Sequence, residues 1–479
     1  MVNRNKEKLR NMKKLLSYIV APLLVIGSGC SDFGDTNVNP NASVIPQSSA
    51  LLTNAIAALG GSVAGGARFN AGLYCQYFSE TQYTESSLYS NDKWSWSGEM
   101  AGNMYDLQNI ININQDPSIV GMARILKAYR FSILTDQFGD IPYFQALKGN
   151  PQPTVDPQKD IYPDIFKELK EGAAQLDDDF FVKGDIVYSG DNAKWRKFAN
   201  SLRLILALRL SESDAAAAAE AEFNDVITNL GSNGGIFESN DDNAMLIFPG
   251  GTYKNTWFGI GADQGVSELF AEYLNNNGDN RKDAFGKPDG STLIGVPYGL
   301  VREDAIAFTD ANPTWSLILN DDFRAENSEF FILTYADVLL ARAEAANIGW
   351  TGGTAETFYQ DAIEASWEQW GVFDQSDYDA YILNPAINLT QTAGDAQKIA
   401  TQRWITFYPN GPQGWSEWRR TGFPALTPTP AAVNGSGEIP VRIIFPDAEY
   451  TLNGTNIAAA VTRMGADTDQ TRVWWNGGN

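Results

Sequence analysis

The chain has 479 residues, 43% of them hydrophobic, and 58 acids against 35 bases give a formal net charge of −23. That surplus argues against nucleic acid and anionic headgroups, which both call for basic patches. Histidine is absent, which excludes Ser-His-Asp and Cys-His nucleophiles, His-ligated zinc and imidazole acid/base chemistry. Carboxylate pairs of the glycosidase type and oxygen-ligated calcium stay open, as does binding without chemistry.

Lys13 and Lys14 precede an apolar run from Leu15 to Ile26, and Gly27, Ser28 and Gly29 lead to Cys30. A basic start, a short apolar stretch and a small-residue exit read as a secretory signal over residues 1–29, starting at Met1 or Met12. The run falls short of the ~20 residues that span a bilayer, and Pro22 interrupts it. Gly-Ser-Gly-Cys resembles a bacterial lipobox, with Gly27 where the usual motif carries Leu, and implies acylation of Cys30. The alternative is a plain secretory signal with an incidental cysteine. Acyl chains contribute about 0.8 kcal/mol per buried CH₂, so two or more anchor stably. Ser31, Asp32 and Asp35 resemble the acidic surface-export signal of Bacteroidetes lipoproteins, which implies the outer membrane, facing the exterior. Residues 30–47 then form a tether and 48–479 a single domain. No later apolar run approaches spanning length, and with Cys30 acylated Cys75 has no partner, so no disulfide framework is available.

The pattern past the tether is mainly helical with long loops. Helices are expected over Ser48–Leu59, Val120–Thr135 and from Asp164 onward, where Ile165, Phe166 and Leu169 share a face. "KWRKFANSLRLILALRLSES" is the strongest amphipathic segment, with Phe198, Leu202, Ile205 and Leu206 at helical spacing. An alanine-rich helix follows it. Pro249 to Arg324 reads as one long irregular region, the kind that carries function in compact proteins. Two helices then flank "TGGT", and Ala341, Ala343, Ala345, Ala362 and Ala365 would let their backbones approach, as in a tetratricopeptide unit. One more helix covers "AQKIATQRWITFY", and from Leu426 the chain reads as loop and short strand, including "VRIIFP".

Six blocks in order carry a resemblance: "NVNPNAS", "YRFSILTDQFGDIPYFQAL", "KWRKFANSLRLILALRL", "LTYADVLLARAEAANIGW", "RWITFYPNGPQGWSEWRRTGFPAL" and the closing "VRIIFPDAEYTLN" with "RVWW". Together they resemble the SusD/RagB-like outer-membrane lipoproteins of Bacteroidetes, most closely the second SusD-like subgroup. The resemblance implies a mainly α fold of tetratricopeptide-like helix pairs with long loops and few strands. It implies a surface lipoprotein that captures a glycan and hands it to a SusC-like TonB-dependent transporter, not an enzyme. An oligopeptide ligand of the RagB type and a carboxylate-based glycoside hydrolase are the alternatives.

The candidate ligand contacts are aromatic, because flat rings are platforms for sugar faces. Tyr89, Trp94 and Trp96 stand in the polar segment "YTESSLYSNDKWSWSGEM" beside Tyr83, and Trp94 and Trp96 would face one side of an extended stretch. Trp257, Tyr298 and Trp315 stand in the long irregular region, with Asn255, Asp263 and Arg302 as possible hydrogen-bonding neighbours. Loop pinning is the structural alternative for each. Trp367 and Trp370 read as core, Trp404, Trp415 and Trp418 with Arg419 and Arg420 as a stacked cluster, and Trp474 and Trp475 as docking the tail. Asp136 and Asp140 in "DQFGDIPY" read as turn residues. No cofactor is expected. The acidic loops "NDDN" and "NNNGDNRKD" leave a structural calcium ion open, but they lack EF-hand spacing and read better as solvated loops.

Overall fold

Asp116 starts the longest helix: its side chain accepts hydrogen bonds from the Ser118 and Ile119 N–H groups, and Pro117 takes the first position, where a missing N–H costs nothing. The computed structural model describes residues 47–61, 67–90 and 94–479. The signal, Cys30 and the tether as far as residue 46 lie outside them.

The helices of eight residues or more are α1 (Ser48–Ala57), α2 (Ala67–Tyr74), α3 (Tyr105–Ile113), α4 (Pro117–Phe138), α5 (Gln158–Ala174), α6 (Asn192–Arg209), α7 (Ala216–Thr228), α8 (Glu268–Asn277) and α9 (Arg302–Ala311). They continue with α10 (Tyr335–Asn347), α11 (Ala355–Gln369), α12 (Gln375–Ile382), α13 (Gly394–Thr406), α14 (Gly411–Thr421) and α15 (Gly454–Met464). Short strands β1 (Phe78–Glu80), β2 (Ala244–Ile247), β3 (Gln264–Val266) and β4 (Glu329–Leu333) form two antiparallel pairs, β1 with β3 and β2 with β4. The fold is mainly α, as expected.

Sequence neighbours make the helix pairs: α4 packs on α5, α6 on α7 and α10 on α11. Ala336 and Ala343 of α10 share one core cluster with Ala362 and Ala365 of α11, whereas Ala341 and Ala345, expected in the same interface, turn to the main core instead. Thr334 caps α10 reciprocally with Asp337. Residues Ser48–Asn479 form one compact unit. Among the described residues no helix is long and apolar enough to cross a membrane.

Three expectations need correction. Helix α5 begins at Gln158 and runs through Pro163. One lost hydrogen bond is outweighed by burial of Ile161 and Tyr162 on its first turns. The region Pro249 to Arg324 is not uniformly irregular, since α8 and α9 lie in it. Ser267 accepts from the Phe270 N–H, and Gly278 closes α8 in the left-handed conformation. The tail past Leu426 contains helix α15 and a shorter turn, Asp447–Leu452, and no strand. "VRIIFP" is held by isolated backbone bonds, from the Val441 N–H to the Asp469 carbonyl and from the Ile443 N–H to the Gln137 carbonyl, and by the Arg442 guanidinium, which pairs with Asp467 and donates to the Phe138 carbonyl.

Candidate functional site

Three of the six aromatic candidates are core residues. Tyr89 is 0% exposed, its hydroxyl accepts from the Thr429 N–H at 3.3 Å, and its ring meets Tyr74 and Tyr298. Trp96 is 2% exposed. Its indole N–H donates to Glu449 Oε1 at 3.0 Å, and Phe138 and Phe445 stand edge-on to the ring. Trp257 is 3% exposed, against Phe78. All three are enclosed by protein and offer no open ring face. The physical reason is shared: a loop poor in apolar residues is pinned by its largest ring. Trp96 starts a helical turn capped by Ser95, and Trp257 stands second in one capped by Asn255. That turn also ends any extended run, so the alternation that put Trp94 and Trp96 on one side does not hold.

Trp94, Tyr298 and Trp315 are half-buried. Two of them border the β1–β3 pair. Ser79 faces Gly265 across that pair. The Trp315 ring lies where a side chain on Gly265 would go, 2.9 Å from the position of the missing Cβ. Only glycine permits this seat. The chain around Trp315 is fixed by the Val266 N–H donating to the Ser316 carbonyl and the Ser316 N–H donating to the Ile294 carbonyl. Tyr298 follows Pro297, whose carbonyl accepts from the Ser79 hydroxyl at 2.8 Å. Burial raises the Tyr298 hydroxyl well above its ordinary pKa, so it stays protonated.

Past β1, Thr81 donates its N–H to the Asp263 carbonyl and its hydroxyl to the Ala262 carbonyl, which ties the segment leading to Tyr83 to the lead-in of β3. Tyr83 is 52% exposed, and the Arg302 guanidinium lies over its ring, 5.1 Å from the centroid. Arg302 opens α9 and is exposed. The β1–β3 pair therefore has an indole seated on Gly265 and, just past β1, an exposed phenol ring with a guanidinium from α9 over one face. Such a set offers ring faces to apolar C–H surfaces and donors to hydroxyl or carbonyl oxygens. Tyr83 has no period to mark it in the sequence; its polar neighbours were the available signal.

The other acidic and aromatic groups hold structure. Asp136 accepts from Tyr162, Arg209 and the Trp475 indole, and Asp140 accepts from the Gln158 N–H and Arg463. Asn255 is buried and bonds across to Ser328. In "NNNGDNRKD", Asp279 and Arg281 are no solvated pair: both are 0% exposed and bridge at 2.6 Å. In "NDDN", Asp242 binds Lys197 at 2.9 Å. Among the described residues no group of three or more acids, cysteines or histidines is placed to hold a metal ion. Trp367, Trp370, Trp404 and Trp415 are core, Arg419 stacks on Trp415 at 3.8 Å, and Trp474 and Trp475 are buried.

A family profile described as "Starch-binding associating with outer membrane", the second SusD-like family, matches residues 40–446. Among solved structures, a chitin-binding protein is 29% identical with a TM-score of 0.77, over 90% of this chain and 100% of that one. A chitin-binding SusD homologue from Flavobacterium johnsoniae is 26% identical with a TM-score of 0.75, over 90% and 98%. A SusD homologue from Bacteroides uniformis is 26% identical with a TM-score of 0.76, over 90% and 99%. No curated protein sequence matches. With its helix pairs, its two small strand pairs and a profile match over most of its length, the chain belongs to the SusD-like family.

Proposed function

We propose that this protein is a lipid-anchored nutrient-binding protein of the outer membrane. It captures an oligosaccharide at the β1–β3 edge and delivers it to a SusC-like TonB-dependent transporter, without cleaving it. The observation that carries the reading is the Trp315 indole seated on Gly265, on the strand pair that also leads to Tyr83 and Arg302. The family's starch-binding description and two relatives described as chitin-binding support a glycan over a peptide. Acylated Cys30 holds the site at the cell exterior, and Tyr298 and Trp94 are secondary contacts.

The test uses the soluble chain beginning at Ser31, with chito-oligosaccharides, starch fragments, other glycans and oligopeptides as probes and product analysis on the same samples. We expect one glycan to be retained intact. Trp315→Ala should weaken its binding about tenfold or more, a loss of about 1.4 kcal/mol, with Tyr83→Ala weaker in effect and both variants still folded. Retention of peptides alone, release of shortened products, or wild-type affinity in both variants overturns the reading.

A further inference from the structure

Beneath β4 lies a small cavity of about 40 Å³. Its lining includes Tyr129 on α4, Asp337 in the first turn of α10, Trp370 just past α11 and Asn410 just before α14. Tyr129 is 1% exposed, Trp370 4% and Asp337 6%. Each of these three side chains carries a buried polar atom with no hydrogen-bond partner among the described residues: the Tyr129 hydroxyl, Trp370 Nε1 and Asp337 Oδ1. Asn410 lies beside the Tyr129 hydroxyl without reaching hydrogen-bond geometry. Three residues that carry such atoms, on three separate helical segments, line one space. Buried polar groups bear a desolvation penalty unless they are paired, and polar cavities hold water while apolar ones stay dry.

We propose that this cavity is a binding site for a cluster of ordered water that accepts from Trp370 Nε1–H, donates to Asp337 Oδ1 and bonds the Tyr129 hydroxyl. A site of this volume holds about three or four molecules, since one water requires about 10–15 Å³ on this measure. The donor set selects water over a cation. An indole N–H turns its positive end to the occupant, which a metal ion rejects and a water lone pair accepts. One carboxylate oxygen is also too few for the oxygen shell of calcium. The cluster joins α4, α10 and the end of α11 in one polar bridge at the centre of the helix pairs. This site is independent of the ligand reading above.

A high-resolution crystal structure of the unmodified chain and a Tyr129→Phe variant test it. Expected are solvent peaks about 2.7–3.2 Å from Trp370 Nε1 and Asp337 Oδ1, together with a melting temperature lowered by about 1–3 °C in the variant. The sign of that shift is diagnostic: if the space were dry, removing an unpaired buried hydroxyl would leave the melting temperature unchanged or raise it. Flat density in the cavity overturns the proposal, as does a single peak with oxygen contacts of about 2.3–2.5 Å, which marks a cation.

Discussion

Asp337 closes the first turn of α10. Its Oδ2 accepts from the Thr334 N–H at 2.9 Å, and its own N–H donates to Thr334 Oγ1 at 3.3 Å. Burial pushes its carboxyl from the ordinary 3.8 up to about 6, against the downward pull of the Thr334 hydrogen bonds and the Arg403 charge. A carboxyl raised on folding contributes stability that is complete below its unfolded value and lost as pH rises through its folded value. The chain should therefore lose about 3 kcal/mol from this group between about pH 4 and pH 6. Asp337→Asn keeps an oxygen for the Thr334 N–H and does not titrate. Urea denaturation at several pH values should show the variant gaining on the wild-type chain across that window, and parallel curves would contradict the argument. Such a residue is invisible in sequence, where nothing marks the burial of Asp337. The tryptophans show the same limit. Trp96 and Trp315 both stand in polar, loop-rich sequence, but the indole of Trp96 finds Glu449, 353 positions away, and that of Trp315 finds a glycine on β3. Loop rings can be recognised as important from composition; whether they pin or present is decided by partners distant in the chain.

At the scale of elements, α4 and α5 meet at two glycines. A Cβ on Gly121 in α4 would come within 2.5 Å of the Gly172 carbonyl oxygen in α5, and one on Gly172 within 2.9 Å of the Gly121 carbonyl oxygen. Helix propensity alone favours alanine over glycine by about 1 kcal/mol. Here the obstacle is backbone, which cannot rotate aside as a side chain does, so α4 and α5 would have to separate along their length. Gly121→Ala should therefore destabilise the protein by about 1–3 kcal/mol net, the usual cost of overpacking. Thermal and denaturant unfolding measure it, and a stabilised variant would show that propensity wins. The helices were legible because the apolar period and alanine content are local signals. Their tight crossing was legible only in α10–α11, and there only in part, since Ala343, Ala362 and Ala365 face it while Ala341 and Ala345 face the main core. In α4 and α5 a single glycine on each helix does the same work and carries no periodic signal. Helix α8 was readable in principle from Ser267 and Gly278 at its ends, and the surrounding Asn and Asp residues masked it.

Across the whole molecule the last residues of the chain tie together helices distant in sequence, α4, α6 and α14. Trp475 is 0% exposed, and its indole N–H donates to Asp136 Oδ1 at 2.8 Å. Asp136 Oδ2 accepts from Arg209 at 2.8 Å, and its backbone carbonyl accepts from Arg419 at 2.7 Å. The Arg209 and Arg419 guanidinium groups also lie over the Trp475 ring, at 5.6 and 4.9 Å. Neighbouring Trp474 donates to Asp214 at 2.8 Å. A tail read from sequence only as docked thus covers a buried charge cluster that joins α4, α6 and α14. Burying charges costs several kcal/mol per ion unless every partner is present, so losing the Trp475 donor leaves the buried Asp136 carboxylate with one partner fewer. Deleting residues 473–479 removes two buried indoles, each worth about 3–5 kcal/mol on truncation, and one of the hydrogen bonds to Asp136. The truncated chain should melt at least about 10 °C lower or fail to accumulate in soluble form. Trp475→Phe keeps most of the packing and deletes only the donor, and should cost about 1–3 kcal/mol. A truncated chain with an unchanged melting temperature would mean that α4, α6 and α14 hold their charge cluster together without the tail.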